Sequence, residues 1–275
     1  MYPVGVMAEN PGWVPRGVDP KRANVARVYD YLLGGNHHFL ADQDLGRSLA
    51  AVDPNVRVLA RANRDFLGRA VRFLATAGIG QFLDIGSGIP TQGNVHEAAQ
   101  AADPRARVVY ADIDPVAVAH SQAILAGNLQ AAIIEADLRE PGTILGHPLT
   151  RQLIDFSQPA GLLLVSVLPF LAEDPWRVVA ALRDALAPGS YLAICHATSE
   201  GRPAVTRAMD KVYRGSVSAG GTIRSRPDIL RFFDGFELVE PGLVYLSRWR
   251  PDSPADVPRD PGRHWGLVGV GSTPA

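Results

Sequence analysis

The amino-acid sequence predicts an α/β fold in which a mostly parallel sheet is covered by helices on both faces. Short, continuously apolar runs recur between segments opened by Asp-Pro dipeptides, a pattern of buried strands alternating with capped helices. The first such run ends in Gly86-Ser87-Gly88, and the last third of the chain abandons the alternation for Pro- and Gly-punctuated pieces.

In chain order, residues 1–20 carry Pro3, Pro11, Pro15 and Pro20 with Gly5, Gly12 and Gly17, and read as an irregular arm. A helix is expected over 24–33, stopped by Gly34-Gly35. Another starts near Asp53-Pro54, a carboxylate cap followed by a proline at the first helical position. Its apolar positions Val56, Leu59, Phe66, Leu67, Ala70, Val71 and Leu74 share a face, and Gly78 closes it. Strands follow at 81–85, 107–111, 131–136, 161–168 and 191–197. The helices between them cover 91–102, 114–125 and the stretch from Asp174-Pro175 to Pro188-Gly189. Beyond these, helices are expected at 203–217 and 227–233. Residues 236–239 and 243–249, either side of Glu240-Pro241-Gly242, should form a hairpin. Residues 264–270 form a tail able to return to the body. The organisation expected is an arm and helical lid over 1–50, a main domain over 51–250 and a tail over 251–275.

Composition narrows the function. The 275 residues, 47% hydrophobic and 20% charged, suffice for one large domain with a substantial core. The 27 basic residues are interleaved with 28 acids at a net charge of -1, so no basic stripe emerges and a nucleic-acid partner is not expected. A small anionic substrate stays admissible. Cys195, the only cysteine, excludes an intrachain disulfide and points to a reducing compartment. No secretory signal is visible, and the longest apolar run (159–172) is shorter than the roughly 20 residues a bilayer requires. A cytoplasmic location without a membrane partner is the expectation.

The chemistry resides at the strand ends. Asp84-Ile85-Gly86-Ser87-Gly88 lets the backbone turn sharply and a ligand approach without Cβ interference. Asp112 ends the next strand, 24 residues beyond Gly88, where an acid can grip two ribose hydroxyls. Asp137 ends the third, within reach of an adenine amino group. Acids at turns often serve only as caps, but Asp114 already fills that role before Pro115, leaving Asp112 without an obvious structural task. A dinucleotide would place its pyrophosphate on the helix N-terminus and favour a third glycine, where this chain has Thr91; the Asp84 carboxylate would repel it. S-adenosylmethionine (SAM) has no phosphate and carries a cationic amino group that Asp84 can hold. Alternatives kept open are a SAM-binding regulator without catalysis and, less favoured, a nicotinamide-dependent oxidoreductase.

The segments 26–35 (Ala-Arg-Val-Tyr-Asp-Tyr-Leu-Leu-Gly-Gly), 61–67 (Arg-Ala-Asn-Arg-Asp-Phe-Leu) and 84–91 resemble the S-adenosyl methyltransferase family of high-GC bacteria, formerly catalogued as a domain of unknown function. The resemblance spans about residues 18–250. It implies a Rossmann-like SAM-dependent methyltransferase fold with a seven-stranded, mostly parallel sheet, a C-terminal β-hairpin, an N-terminal helical cover, and SAM as cofactor with S-adenosylhomocysteine (SAH) as product. The family tends to place histidine after the fourth strand; this chain has Pro169.

The cofactor site is accordingly assigned to Asp84, Gly86, Ser87, Gly88, Asp112, Ile113, Asp137, Leu138 and Ser166, with Arg27, Tyr31 and Asn63 from the helical cover. Arg27 and Tyr31, four residues apart, share a helix face. Arg27 is a candidate for the methionine carboxylate or an acidic substrate, with a surface ion pair as the competing reading; Asn63 and Arg64 invite the same question. Residues 166–170 are the candidate acceptor wall, with Phe170 either beside the sulfonium or simply core. His37, His38 and His196 are the candidate bases, whereas His96 and His120 read as surface residues and Cys195 as a buried hydrophobe. No metal-ligand spacing is present. The expected reaction is methyl transfer to a small-molecule acceptor, with residues 18–47 as a lid.

Overall fold

A computed structural model describes residues 15, 18–90, 93–217 and 221–274. Most of the expected arm, and Thr91, where a helix was expected to begin, lie outside the described residues.

Helix α1 (Val25–Leu33) starts at Asn24, whose side chain accepts from the Ala26 amide, and stops at Gly34 in the left-handed conformation. α2 (Leu40–Val52) has no counterpart in the sequence reading; the buried Asp42 carboxylate secures its start by accepting from the Phe39 and Asn24 amides, each at 2.8 Å. α3 (Val56–Thr76) begins slightly later than expected. Asp53 terminates α2 and accepts from the Asn55 amide at 3.0 Å. Then follow β1 (Gln81–Ile85), α4 (Val95–Ala102), β2 (Arg107–Asp112), α5 (Pro115–Ile124), β3 (Ala131–Glu135), the short helices α6 (Pro141–Gly146) and α7 (Pro148–Leu153), and β4 (Gly161–Val165). The chain continues through α8 (Pro175–Arg183), β5 (Tyr191–Ala197), α9 (Pro203–Arg214), α10 (Arg226–Leu230), β6 (Glu237–Leu238), β7 (Val244–Tyr245) and β8 (Gly266–Ser272).

The sheet runs β3-β2-β1-β4-β5-β8-β6, with β7 also on β8. The first five strands are parallel, and Leu83 of β1 sits between Val109 of β2 and Leu162 of β4. Strand order reverses between β1 and β4, opening a crevice beyond the carboxyl ends where ligands bind in such sheets.

The C-terminal region corrects the sequence reading. β6 and β7 do not form a hairpin; each pairs antiparallel with a different part of β8. β8 lies antiparallel along the whole of β5, from Tyr191 opposite Ser272 to Ala197 opposite Gly266, so the sheet has eight strands and extends past residue 250. Glycines make this inner position possible. A Cβ at Gly266 would stand 2.3 Å from Leu246 Cδ1, and one at Gly271 2.9 Å from Phe236 Cβ. The same glycines dilute the apolar alternation by which a strand is recognised.

Phe66, Leu74, Phe82, Val108 and Trp249 fill one face of the sheet, and Leu83, Val109, Leu164, Ile194 and Phe232 the other. A separate cluster including Val28, Leu49, Val56, Met209 and Trp265 joins α1, α2, α3 and α9 into a cover at the crevice end.

Candidate functional site

The crevice holds a cavity of about 1350 Å³, walled by the ends of β1–β5 and by α1, α3 and α9. Pockets for a single drug-sized ligand span about 300–1,000 Å³, so there is room here for two small molecules.

β1 delivers Asp84 to the floor, and the chain turns at once. Gly86 has φ +72° and packs so tightly that a Cβ would lie 2.3 Å from Val167 Cγ2, whereas at Gly88 (φ +66°) a Cβ would meet nothing within 4 Å. The first glycine is demanded by the protein and the second leaves open space at the cavity. Asp84 is 4% exposed, and no hydrogen bond or ion pair reaches its carboxylate among the described residues. Burial pushes its carboxyl up to about 7, against the pull of Arg64 and with a push from Asp112.

Asp112 has the structural task that the sequence reading denied it. Its two oxygens accept from the Gly88 amide at 2.7 Å and the Asp114 amide at 2.9 Å, fixing the β1 turn and the start of α5. Each oxygen keeps a further lone pair for a ligand hydroxyl. Burial raises Asp112 to about 6 despite these amides. Asp137 also reaches the cavity, but Arg139 folds back onto it and holds its carboxyl below the ordinary range. Ile113, half exposed, and buried Leu138 flank these acids, and Ser87 lies in the same wall.

Across the crevice, Ser166 follows β4 in the left-handed region (φ +65°) and its hydroxyl donates to Asn63 Oδ1 at 3.1 Å. Asn63 Nδ2 donates to the Tyr29 hydroxyl at 2.7 Å, which donates to the Ala60 carbonyl at 2.9 Å. The chain of bonds ties α1, α3 and β4 together in the cavity wall. Tyr29 was missed from sequence and Tyr31 named in its place. The apolar stripe of α1 points to Val28 and Leu32, with Tyr29 beside it, whereas Tyr31 turns from the cavity to lie under Arg57 (4.6 Å) and against His38.

Arg27 is in the wall but in no surface ion pair. It is 4% exposed, with Nε 3.5 Å from Asp114 and 3.7 Å from Asp42, and Nη2 donating to the Arg22 carbonyl. It clamps the cover to the β2–α5 loop. Arg64, across from Asp84, stands over the Tyr29 ring.

The histidine candidates are not in the cavity wall. His38 Nδ1 bonds Asp30 Oδ2 at 2.9 Å, which also accepts from the His37 amide, and the His37 ring packs 3.9 Å from that of His120. His196 is fully buried on the opposite sheet face from the cavity-lining Cys195 and Ala197, as strand alternation requires. Its Nδ1 donates to the Ala197 carbonyl while Nε2 accepts from Arg224 at 2.8 Å; burial pushes its pKa down to about 3, so it stays neutral. His96, expected at the surface, is buried against Tyr110. Cys195 is buried, its thiol pushed up to about 12 by desolvation. Pro169 and Phe170 line the wall, with Phe170 edge-on to Tyr213 at 5.8 Å. Among the described residues no His, Cys, Asp and Glu side chains gather to hold a metal, and no helix is long and apolar enough to cross a membrane.

Residues 11–274 match the S-adenosyl methyltransferase family. The chain belongs to that family. It is similar to a candidate methyltransferase from Thermobifida fusca, at 46% identity over 96% of this chain and 100% of the other, with a TM-score of 0.91. A DUF574-family protein from Streptomyces avermitilis shares 37% identity over 93% and 99% of the two chains, TM-score 0.89. The N-methyltransferase NodS from Bradyrhizobium japonicum, solved with SAH, shares the fold alone: 16% identity over 85% of this chain and 98% of the other, TM-score 0.51. No curated protein matches. SAM is thus the cofactor, and the nicotinamide alternative is set aside. The residues fit it: an unpartnered buried carboxylate sits beside a glycine turn open to the cavity.

Proposed function

We propose that this chain transfers a methyl group from SAM to a small-molecule acceptor. The observation that carries the reading is Asp84, a buried carboxylate that lacks a hydrogen-bond partner among the described residues and faces a cavity large enough for a second molecule. A buried carboxylate that no ion pair or hydrogen bond reaches directly is costly to ionise, and fits a site where a cationic ligand group completes what the facing Arg64 supplies only in part. Asp84 and Arg64 present opposite charges to the zwitterionic end of the cofactor, and Asp112 offers its spare lone pairs to the ribose. Gly88 leaves room at the turn, and Asp137, Ile113 and Leu138 surround the base.

SAM supplies an electrophilic methyl on a cationic sulfur. The protein's part is alignment and exclusion of water, which can account for about 7–11 kcal/mol of a barrier when two reactants are held in register. Ser166, Asn63 and Tyr29 form a fixed polar rail between the two halves of the crevice, with Phe170 beyond it. No histidine lines the cavity among the described residues, so the reading favours an acceptor whose own nucleophilicity suffices once aligned, its proton lost to bulk water as the methylated product leaves. The helical cover α1–α2 serves as the lid, with Arg27 as its latch on Asp114.

Calorimetric titration with SAH should show micromolar or tighter binding, and NADH none. Protein incubated with methyl-labelled SAM and fractionated cell extract should place the label in the small-molecule fraction. Failure to bind SAH, or label confined to protein or nucleic acid, would sink the proposal.

A further inference from the structure

The charges of the crevice are segregated. Beyond β1–β3 its wall carries Asp84, Asp112, Asp114 and Asp137 with Arg27 and Arg64. The segment after β4 adds Phe170 and, in exposed positions, Glu173, Asp174 and Arg177, whereas beyond β5 and β8 the wall is Met209, Tyr213, Val217 and Trp265, and among the described residues Asp210 of α9 is the one charged side chain of that part. One oxygen of Asp210, Oδ2, accepts from Arg214 Nε at 2.8 Å; the other, Oδ1, is buried with no hydrogen-bond partner among the described residues. One helical turn on, Tyr213 is half-buried with its ring against Phe170, and its hydroxyl has no partner among the described residues.

Resting on the methyltransferase reading, we infer that the acceptor is a flat, largely apolar molecule, uncharged or cationic, whose N–H or O–H group is held by Asp210 Oδ1 and the Tyr213 hydroxyl. A carboxylate or phosphate entering the part beyond β5 and β8 would shed its water beside an acid; Arg214 is already committed to Asp210, and Arg177 stands exposed beyond β4 on the same short segment as Glu173 and Asp174. A donor or cation meets two unsatisfied acceptor oxygens, and rings on the wall favour a planar body. The small anionic substrate that composition left admissible does not suit this wall.

Indole, tryptamine and indole-3-acetate present one ring system with three charges. Titrated calorimetrically into the full chain saturated with SAH, tryptamine should bind at least about tenfold tighter than indole-3-acetate, with indole between them. Asp210→Asn should bring the ratio near unity, SAH affinity serving as the control for folding. Equal or tighter binding of indole-3-acetate, a ratio unchanged in Asp210→Asn, or no binding of any of the three at millimolar concentration overturns the inference and leaves methyl transfer standing. Failure of SAH itself to bind overturns both.

Discussion

Beyond β1, β2 and β3 the crevice is built from carboxylates and backbone amides in a crowded polar arrangement; beyond β5 and β8 it is built from rings and aliphatic side chains, with Asp210 the one charged group among the described residues. The first half offers a ligand many directional contacts, each costly to lose. The second excludes water and specifies little beyond shape and the sign of a charge. Substitutions in the first half should therefore have large effects on cofactor affinity, and those in the second should leave it intact.

Four measurements would break or sharpen that contrast. Asp112→Ala should be the most severe, because it leaves the Gly88 and Asp114 amides unsatisfied as well as removing the oxygens proposed to hold the ribose. SAH affinity should fall by at least about a hundredfold and stability by about 2–4 kcal/mol, read by calorimetry and denaturant melts. Gly86→Ala drives a Cβ into Val167 from a left-handed backbone and should cost about 3 kcal/mol, whereas Gly88→Ala should cost about 1 kcal/mol of stability and act chiefly on SAH binding.

Asp84 supplies a pH test. With its folded pKa near 7, the ligand-free protein retains a proton that the unfolded chain has released, so stability declines as pH rises from about 4 through 7. The amino group of SAH favours the ionised carboxylate, so affinity strengthens over the upper part of that rise. Asp84→Asn should flatten the upper part of both profiles, raise ligand-free stability at pH 8 and weaken SAH by about tenfold or more. Melting temperatures and calorimetry from pH 5 to 8 decide it; affinity that weakens with rising pH refutes the role. The smallest effect is expected from His37→Gln, which lies outside the cavity wall and should change SAH affinity less than about twofold.

The parallel half of the fold was legible because its signals are local. Asp114-Pro115 and Asp174-Pro175 cap α5 and α8 where expected, and β1 to β5 stand out as apolar runs. α2 was not, since its start depends on Asp42 reaching the Asn24 amide from a distant segment. The hairpin expectation failed because two short strands around a Pro-Gly turn look alike whether they pair with each other or with a third. At the site, Asp84, Gly86 and Gly88 followed from the motif, but the backbone bonds of Asp112 depend on a turn geometry that spacing does not encode. His196 stands at a strand end, as a cleft residue would, but alternation with the cavity-lining Cys195 turns it to the other face. The four-residue Arg27–Tyr31 interval points to Tyr31, whereas it is Tyr29, beside the Val28–Leu32 stripe, that bonds Asn63 in the wall.

The placement of β8 has a kinetic consequence. β5 remains an open edge of unpaired amides and carbonyls until a segment far downstream in the chain arrives to zip along it. Nucleation can proceed among the earlier parallel strands, but consolidation must wait for this long-range closure, which carries a high loop-entropy barrier. In the interval the bare β5 margin is the point at which two half-formed molecules would most readily stick together.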